Sequence, residues 1–468
     1  MKLLANFSDF KIWSSMFQFG FVCLMLLLGN TIRRKVPFIQ KSLLPTAVIG
    51  GFIGLIIKEI VKNIGIQIDG QDILTNDFFE MITYHTIAVG FIAMGLVAVK
   101  KYEKRPEGFK SGLLIVSTYL MQGIVGMAIT MVLFLGLKDV APFSGLLLPM
   151  GFGQGPGQAN NIGYMFETTG LFPGGQTFGL SVSTLGFVWA CIPGVWYLNY
   201  LQKKNQLKRV YEDSVTEGST TIVEGTGEIP LVESVDKLTI QVAFVFLSYL
   251  LTFLIMFGVT ELIKISNNKF LIDNVVPLIW GFNFLFGIFT TMLVKRVLIL
   301  LRKKKIMKRV YTNDYMLNRI AGVAFDIMII SSIIAIEVKK LSSWQLILAL
   351  VIISTVGGVL TLLYIRFATK KLYPQYQHEG LVSMYGMLTG TASTGIALLR
   401  EIDPKFETPA AENLVTGSGS AALLGAPLLL IISVAKTSNY LYLFIALGLM
   451  TVFFVLYNFL MFGIKRKA

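Results

Sequence analysis

At 468 residues, the chain is 54% hydrophobic and only 15% charged. Soluble domains carry about 25% charged residues, so a string of soluble modules is excluded. The net charge of +14 does not point to nucleic acid, because the basic residues fall in clusters between apolar runs, where membrane topology accounts for them.

Apolar runs of membrane-spanning length lie at about 14–32, 43–61, 80–99, 112–137 and 176–200. A second series lies at about 239–262, 271–299, 316–337, 343–367, 413–435 and 438–463. They predict an all-α polytopic membrane protein with about 11 transmembrane helices. The first run ends in Gly29-Asn30-Thr31 and Arg33-Arg34-Lys35, with no small-x-small cleavage site, and reads as a span rather than a signal peptide. Cys23 and Cys191 sit inside apolar runs without ligand-like spacing and read as packing residues.

Charge tests the count of spans. With the N-terminus outside, the inside segments are 33–42, 100–111, 201–238, 295–319, 366–412 and the C-terminal tail. They hold 31 of the 41 Lys and Arg residues, with the densest cluster at Arg302-Lys303-Lys304-Lys305. That bias satisfies the positive-inside rule and predicts an N-out, C-in protein.

Residues 201–238 form the one long polar stretch, rich in Glu, Thr and Gly, and read as a flexible cytoplasmic linker. On either side the order repeats: four spans, a glycine-rich stretch, then a further span. The two glycine-rich stretches lie near 143–167 and 380–401. Gly153 to Gln176 and Gly390 to Asn413 are both 23 residues. Five spans per half is an odd number, so the repeats, 1–200 and 239–435, are expected to be inverted. Each would carry a re-entrant hairpin, one entering from outside and one from inside. Residues 436–468 add an extra C-terminal transmembrane helix and a basic tail. Paired interruptions in inverted halves point to the substrate site of a secondary transporter.

The first stretch reads Gly151-Phe-Gly-Gln-Gly-Pro-Gly-Gln-Ala-Asn-Asn-Ile-Gly163. Alternate glycines, including Gly153 and Gly155, permit a tight reversal that exposes backbone polar groups. Gln154, Gln158, Asn160 and Asn161 supply amides that donate and accept, which suits a carboxylate or zwitterion beside a hard cation. The helix starting near Gln158 offers an N-terminus to an anion. The plainer reading is that these groups satisfy one another's backbone. A nucleotide-binding reading fails, since no βαβ pattern surrounds the glycines.

The second stretch, Gly386-Met-Leu-Thr-Gly-Thr-Ala-Ser-Thr-Gly395, presents Thr389, Thr391, Ser393 and Thr394. Hydroxyl and carbonyl oxygens at a broken helix suit Na+, although such hydroxyls also bond back to their own helix. Arg400 either holds a substrate carboxylate or is a topological charge paired with Glu401. Asp326, about one and a half turns into a span read as Ala321–Val338, is either an ion or substrate residue or an interfacial charge paired with Arg319. His85 and His378 support no metal centre or triad.

The pairing of GFGQGPGQANNIG with GMLTGTASTGIALLREIDP, in two halves joined by a linker, resembles the bacterial sodium/glutamate symporter family. More distantly it is similar to the 2-hydroxycarboxylate transporters. The resemblance implies hairpin tips that meet near the midplane, Na+-coupled uptake, a homodimer and an elevator-like movement in the bacterial inner membrane. It implies a substrate and Na+ region at Gln154 to Asn161 and Thr391 to Thr394, with Arg400 as a carboxylate ligand. Together with the reading of the residues themselves, substrate is expected at Gly153, Gln154, Gly155, Gln158, Asn160, Thr391, Thr394 and Arg400, and Na+ at Asn161, Ser393, Thr389 and Asp326. The expected activity is symport of glutamate or a related small carboxylate, with Na+ as coupling ion and no other cofactor. A 2-hydroxycarboxylate or dicarboxylate carrier, coupled to Na+ or to H+, is the alternative. A channel lacks its charge rings, and an enzyme lacks clustered His, Cys or carboxylates.

Overall fold

The computed structural model describes residues 8–37, 39, 44–97, 106–168, 170–203, 237–307, 309–341, 343–403, 408–435 and 437–463. Most of the expected linker (204–236) and the basic tail (464–468) lie outside the described residues.

The described residues are helical almost throughout. In order the helices are α1 (Phe10–Lys35), α2 (Thr46–Ile64), α3 (Asn76–Leu96), α4 (Pro106–Gly136), α5 (Pro156–Thr168) and α6 (Gly175–Lys203). Then come α7 (Lys237–Ile265), α8 (Lys269–Gly281), α9 (Asn283–Lys303), α10 (Asp314–Ile334) and α11 (Trp344–Leu372). The last are α12 (Gln377–Thr389), α13 (Ala392–Arg400), α14 (Ala410–Leu424), α15 (Ala426–Val434) and α16 (Tyr440–Gly463). Among the described residues, nine helices are long and apolar enough to cross a membrane; α14 and α15, bent by 55° to each other, make a tenth if the pair counts as one span. The helix α2 is apolar too, but carries Lys58, Glu59 and Lys62 in its second half. This is an all-α polytopic membrane protein.

Two of the expected spans are broken. The run 271–299 divides at Phe282 into α8 and α9. Pro277 inside α8 lacks an N–H and crowds the preceding turn, and Gly281 follows it. The run 413–435 bends between α14 and α15, where the Tyr457 hydroxyl donates to the Leu424 carbonyl at 2.9 Å and caps a backbone group that the bend releases.

The contacts divide the chain into two units. The first comprises the described parts of 1–81, 105–211 and 329–468; the second comprises those of 82–104 and 212–328. In the first unit, α1 and α2 form a close pair, joined to α3 by a ribbon pairing Gln67–Ile68 with Gln71–Asp72. Lys58 of α2 is fully buried. Its Nζ donates to the carbonyls of Ile334 (2.6 Å) and Ile336 (2.8 Å), so a cation caps the carbonyl end of α10. The small residues 417–420 of α14 let it lie flush on α4: a Cβ on Gly417 would stand 2.8 Å from Ser111 Cβ. The extra C-terminal helix α16 also packs on α4, and its Tyr440 hydroxyl donates to the Met131 carbonyl at 3.2 Å.

The second unit is built around Ile92, Ala93, Leu96, Val245, Leu317 and Ala321, all buried. At the α8–α9 break, Tyr84 donates to the Trp280 carbonyl at 2.9 Å and Asn283 Nδ2 donates to the Tyr84 carbonyl at 3.0 Å. One carbonyl of the interrupted backbone, that of Trp280, is thus satisfied from α3.

Candidate functional site

Both glycine-rich stretches fold as short arms in the first unit. In the first, a π-helical turn at Pro149–Gly153 ends where the Gln154 amide donates to the Pro149 carbonyl at 3.1 Å. Gly155 follows with φ +88°, a conformation that costs glycine nothing, and Pro156 opens α5 at the position where its missing N–H does no harm. The start and end of the stretch return to each other: the rings of Phe143 and Phe166 meet edge to face at 4.9 Å. The second stretch is α12, a break at Gly390, and α13, capped by Thr391, whose hydroxyl accepts from the Thr394 amide at 3.4 Å. Its arms cross where a Cβ on Gly386 would lie 2.9 Å from Gly395 Cα. With 1.5 Å of rise per residue, α5 is about 20 Å long and α13 about 13 Å, against about 30 Å of hydrocarbon. Neither arm spans. Both are hairpins.

Their tips touch. A Cβ on Gly155 would stand 3.6 Å from Thr391 Cγ2 and 3.9 Å from the Gly390 carbonyl oxygen. The N-termini of α5 and α13 therefore converge on one place, as do the carbonyl ends of the Pro149–Gly153 turn and of α12.

Two long helices run past both hairpins. Along α6, Gln176 Nε2 donates to Asn160 Oδ1 (2.9 Å), so its start lies beside α5. At Gly186 a Cβ would come within 2.2 Å of the Thr389 carbonyl oxygen, an approach only glycine allows. Further on, the Trp189 carbonyl accepts from the Tyr385 hydroxyl of α12 (3.1 Å). Along α4, Ser111 shares a 2.6 Å hydrogen bond with Tyr373 at the base of the second hairpin. Thr130, about 28 Å further along by helical rise, donates to the Pro142 carbonyl (2.8 Å) at the base of the first. The hairpins thus enter from opposite ends of α4.

Most of the residues singled out by the sequence come together here. Gly153 and Gln154 precede the tip, Gly155 forms it, and Gln158, Asn160 and Asn161 are buried in α5. Both amide atoms of Gln158 are buried with no hydrogen-bond partner among the described residues. Asn160 is held by Gln176, with Asn161 Oδ1 at 3.5 Å. Thr391 and Thr394 face each other across the second tip, hydroxyls 3.2 Å apart. The Thr389 hydroxyl donates to its own helix, at the Tyr385 carbonyl (2.7 Å), while its backbone carbonyl faces α6. The side chain of Ser393 lies outside the described residues.

One residue is not brought to the tips. Arg400 is exposed at the far end of α13, about 13 Å of helix from Thr391. Asp326 belongs to the second unit. Because α10 begins at Asp314, Asp326 lies about three turns in rather than one and a half.

Sequence reasoning missed Gln122. This fully buried residue of α4 donates from Nε2 to the Leu388 carbonyl (2.9 Å) and to Thr361 Oγ1 (3.0 Å), joining the second hairpin to α11. A lone amide in an apolar run gives no pattern to notice.

At the base of the first hairpin, Lys340 bridges Glu167 at the end of α5 (2.9 Å) and Glu337 (2.8 Å). Burial opposes charge on both Lys340 and Glu337, yet their mutual hydrogen bond prevails. With help from Glu167, the Lys340 ammonium is pushed above its ordinary value. With help from Asn76, the Glu337 carboxyl is held below its own.

A family model described as sodium/glutamate symporter matches residues 13–408. No curated protein matches the chain.

Proposed function

The chain belongs to the sodium/glutamate symporter family, and we propose from that premise that it couples the uptake of glutamate, or a related small carboxylate, to Na+ at the meeting tips of its two hairpins. Membership makes it a secondary transporter, and its apolar helices make it an integral membrane protein. The contact between Gly155 and the Gly390–Thr391 tip carries the rest. Two helix N-termini that converge on one place attract carboxylate oxygens. The carbonyl ends of the first arms, the Thr389 carbonyl among them, with the Asn161 side-chain oxygen, offer hard ligands to Na+.

In this reading Gly153, Gln154, Gly155, Gln158, Asn160, Thr391 and Thr394 handle the carboxylate. Asn161, Thr389 and Ser393 attend the ion. Arg400 stands outside the tip site. Substrate and Na+ each favour the closed tips, so the ion gradient is spent on the substrate. The entry of the hairpins from opposite ends of α4 supports an inverted-repeat arrangement and alternating, elevator-like access. The homodimer, the bacterial inner membrane and the N-out, C-in orientation complete the proposal.

The test is uptake of labelled glutamate into proteoliposomes under an imposed Na+ gradient. Accumulation should follow the gradient and collapse when the membrane is made Na+-permeable. Accumulation of equal size with K+ replacing Na+ would end the reading.

A further inference from the structure

We infer that Gln122 is a binding residue of the tip site, whose side-chain oxygen receives the positively charged cargo: Na+ or the ammonium group of the substrate. The inference rests on the symport reading and adds a ligand from outside both hairpins.

The orientation of the amide is set by its surroundings. The Leu388 carbonyl can only accept, so Nε2 must face it, and the second N–H goes to Thr361 Oγ1. Oε1 is thereby turned away from both partners. It is buried and has no hydrogen-bond partner among the described residues. On that side it meets the first hairpin: a Cβ on Gly153 would stand 3.1 Å from it. Gly153 is the last residue of the π-helical turn, two residues before the tip.

A buried carbonyl oxygen without a donor is costly, and a cation or charged N–H group relieves that cost. Gln122 lies between the bases of the hairpins on α4, roughly midway from Ser111 to Thr130, at the level where the tips meet. Through Nε2 it holds the last turn of α12; through Oε1 it borders the end of the opposing first arm. A cargo bound at Oε1 therefore touches the junction of both hairpins. Bound cargo and closed tips would favour each other.

The test uses the full chain, purified and reconstituted. Binding of labelled glutamate and glutarate (the same dicarboxylate without its amine) is titrated against Na+ in the wild type, Q122M and Q122E. Gln122→Met keeps the volume and removes both functions of the amide. Gln122→Glu keeps the oxygens but loses the donors to Leu388 and Thr361.

If Oε1 receives Na+, Q122M raises the half-saturating Na+ concentration at least tenfold for both ligands. If it receives the ammonium, Q122M weakens glutamate at least tenfold and leaves glutarate unchanged. In either case Q122E stays within threefold of the wild type. Equal impairment in Q122E and Q122M would reduce the role to the hydrogen bond with Leu388 and overturn the inference, as would an unaltered Q122M. Should Q122M fail to fold, Q122E decides by itself: unchanged or tighter binding of the cation supports the inference, and a tenfold loss overturns it. A wild type without Na+-dependent binding removes the symport reading and this inference together. A normal wild type beside an unaltered Q122M removes the inference only.

Discussion

Gly155 and Thr391, from the two halves of the chain, meet tip to tip: a Cβ on the glycine would lie 3.6 Å from the threonine methyl. The contact can form because Gly155 holds φ +88° and turns the first hairpin back at that point.

Gly155→Ala should disturb this contact through the backbone. An alanine held near that φ costs about 1 to 2 kcal/mol, and the added methyl itself fits beside Thr391. The variant is expected to fold and insert, yet to take up glutamate at least tenfold more slowly. Wild-type uptake by Gly155→Ala would show that the tip geometry does not matter.

Gly186→Ala acts on packing instead. Its Cβ would fall 2.2 Å from the Thr389 carbonyl oxygen, so α6 and the second hairpin must part, at a cost of about 1 to 3 kcal/mol. A lower thermal unfolding temperature is expected, together with weaker Na+ dependence. An unfolding curve that overlays the wild type would refute the close approach.

The triad of Lys340, Glu337 and Glu167 should leave a mark on stability against pH. Glu337 titrates below its ordinary value in the folded chain, so its contribution is present above that ordinary value and is lost as pH falls through the lowered one. Lys340 titrates above its ordinary value, so its contribution is present below that value and is lost as pH rises through the raised one. Lys340→Met removes the alkaline flank and weakens the acid one, where Asn76 still holds Glu337. Thermal unfolding measured from acid to alkaline pH should show a flatter profile for the variant. Parallel profiles would mean that the ion pairs contribute nothing.

Arg400→Gln is expected to leave glutamate affinity within about twofold, because about 13 Å of helix separates Arg400 from the Thr391 cap. A tenfold loss in binding would place Arg400 at the substrate.

The two hairpins were legible because glycine and amides inside apolar sequence break a strong pattern. Their contact could not be read from sequence, since it depends on α4 and α6 running past both. Gln122 shows the limit most sharply: its significance comes from Leu388 and Gly153, residues brought to it only by the fold. The break at Phe282 was hidden by an unbroken apolar run in which Pro277 was the sole signal. The division into two units was hidden as well, because it follows spatial contact while the expected repeats follow chain order. Arg400 and Asp326 illustrate the converse. Charge in an apolar run stands out, but the length of α13 sets Arg400 apart from the Thr391 cap, while Asp326 is a residue of the second unit.

The central claim is that glutamate and Na+ bind where the tips meet, and labelling of a cysteine placed at Thr391 tests it most directly. Cys23 and Cys191 are first replaced by serine and alanine, and transport by the Cys-free chain is confirmed. The rate at which a small maleimide modifies Thr391→Cys is then followed in four conditions: neither solute, each alone, and both. Glutamate and Na+ together should slow modification severalfold, with little effect from either alone. Modification at one unchanging rate in all four conditions would contradict the account.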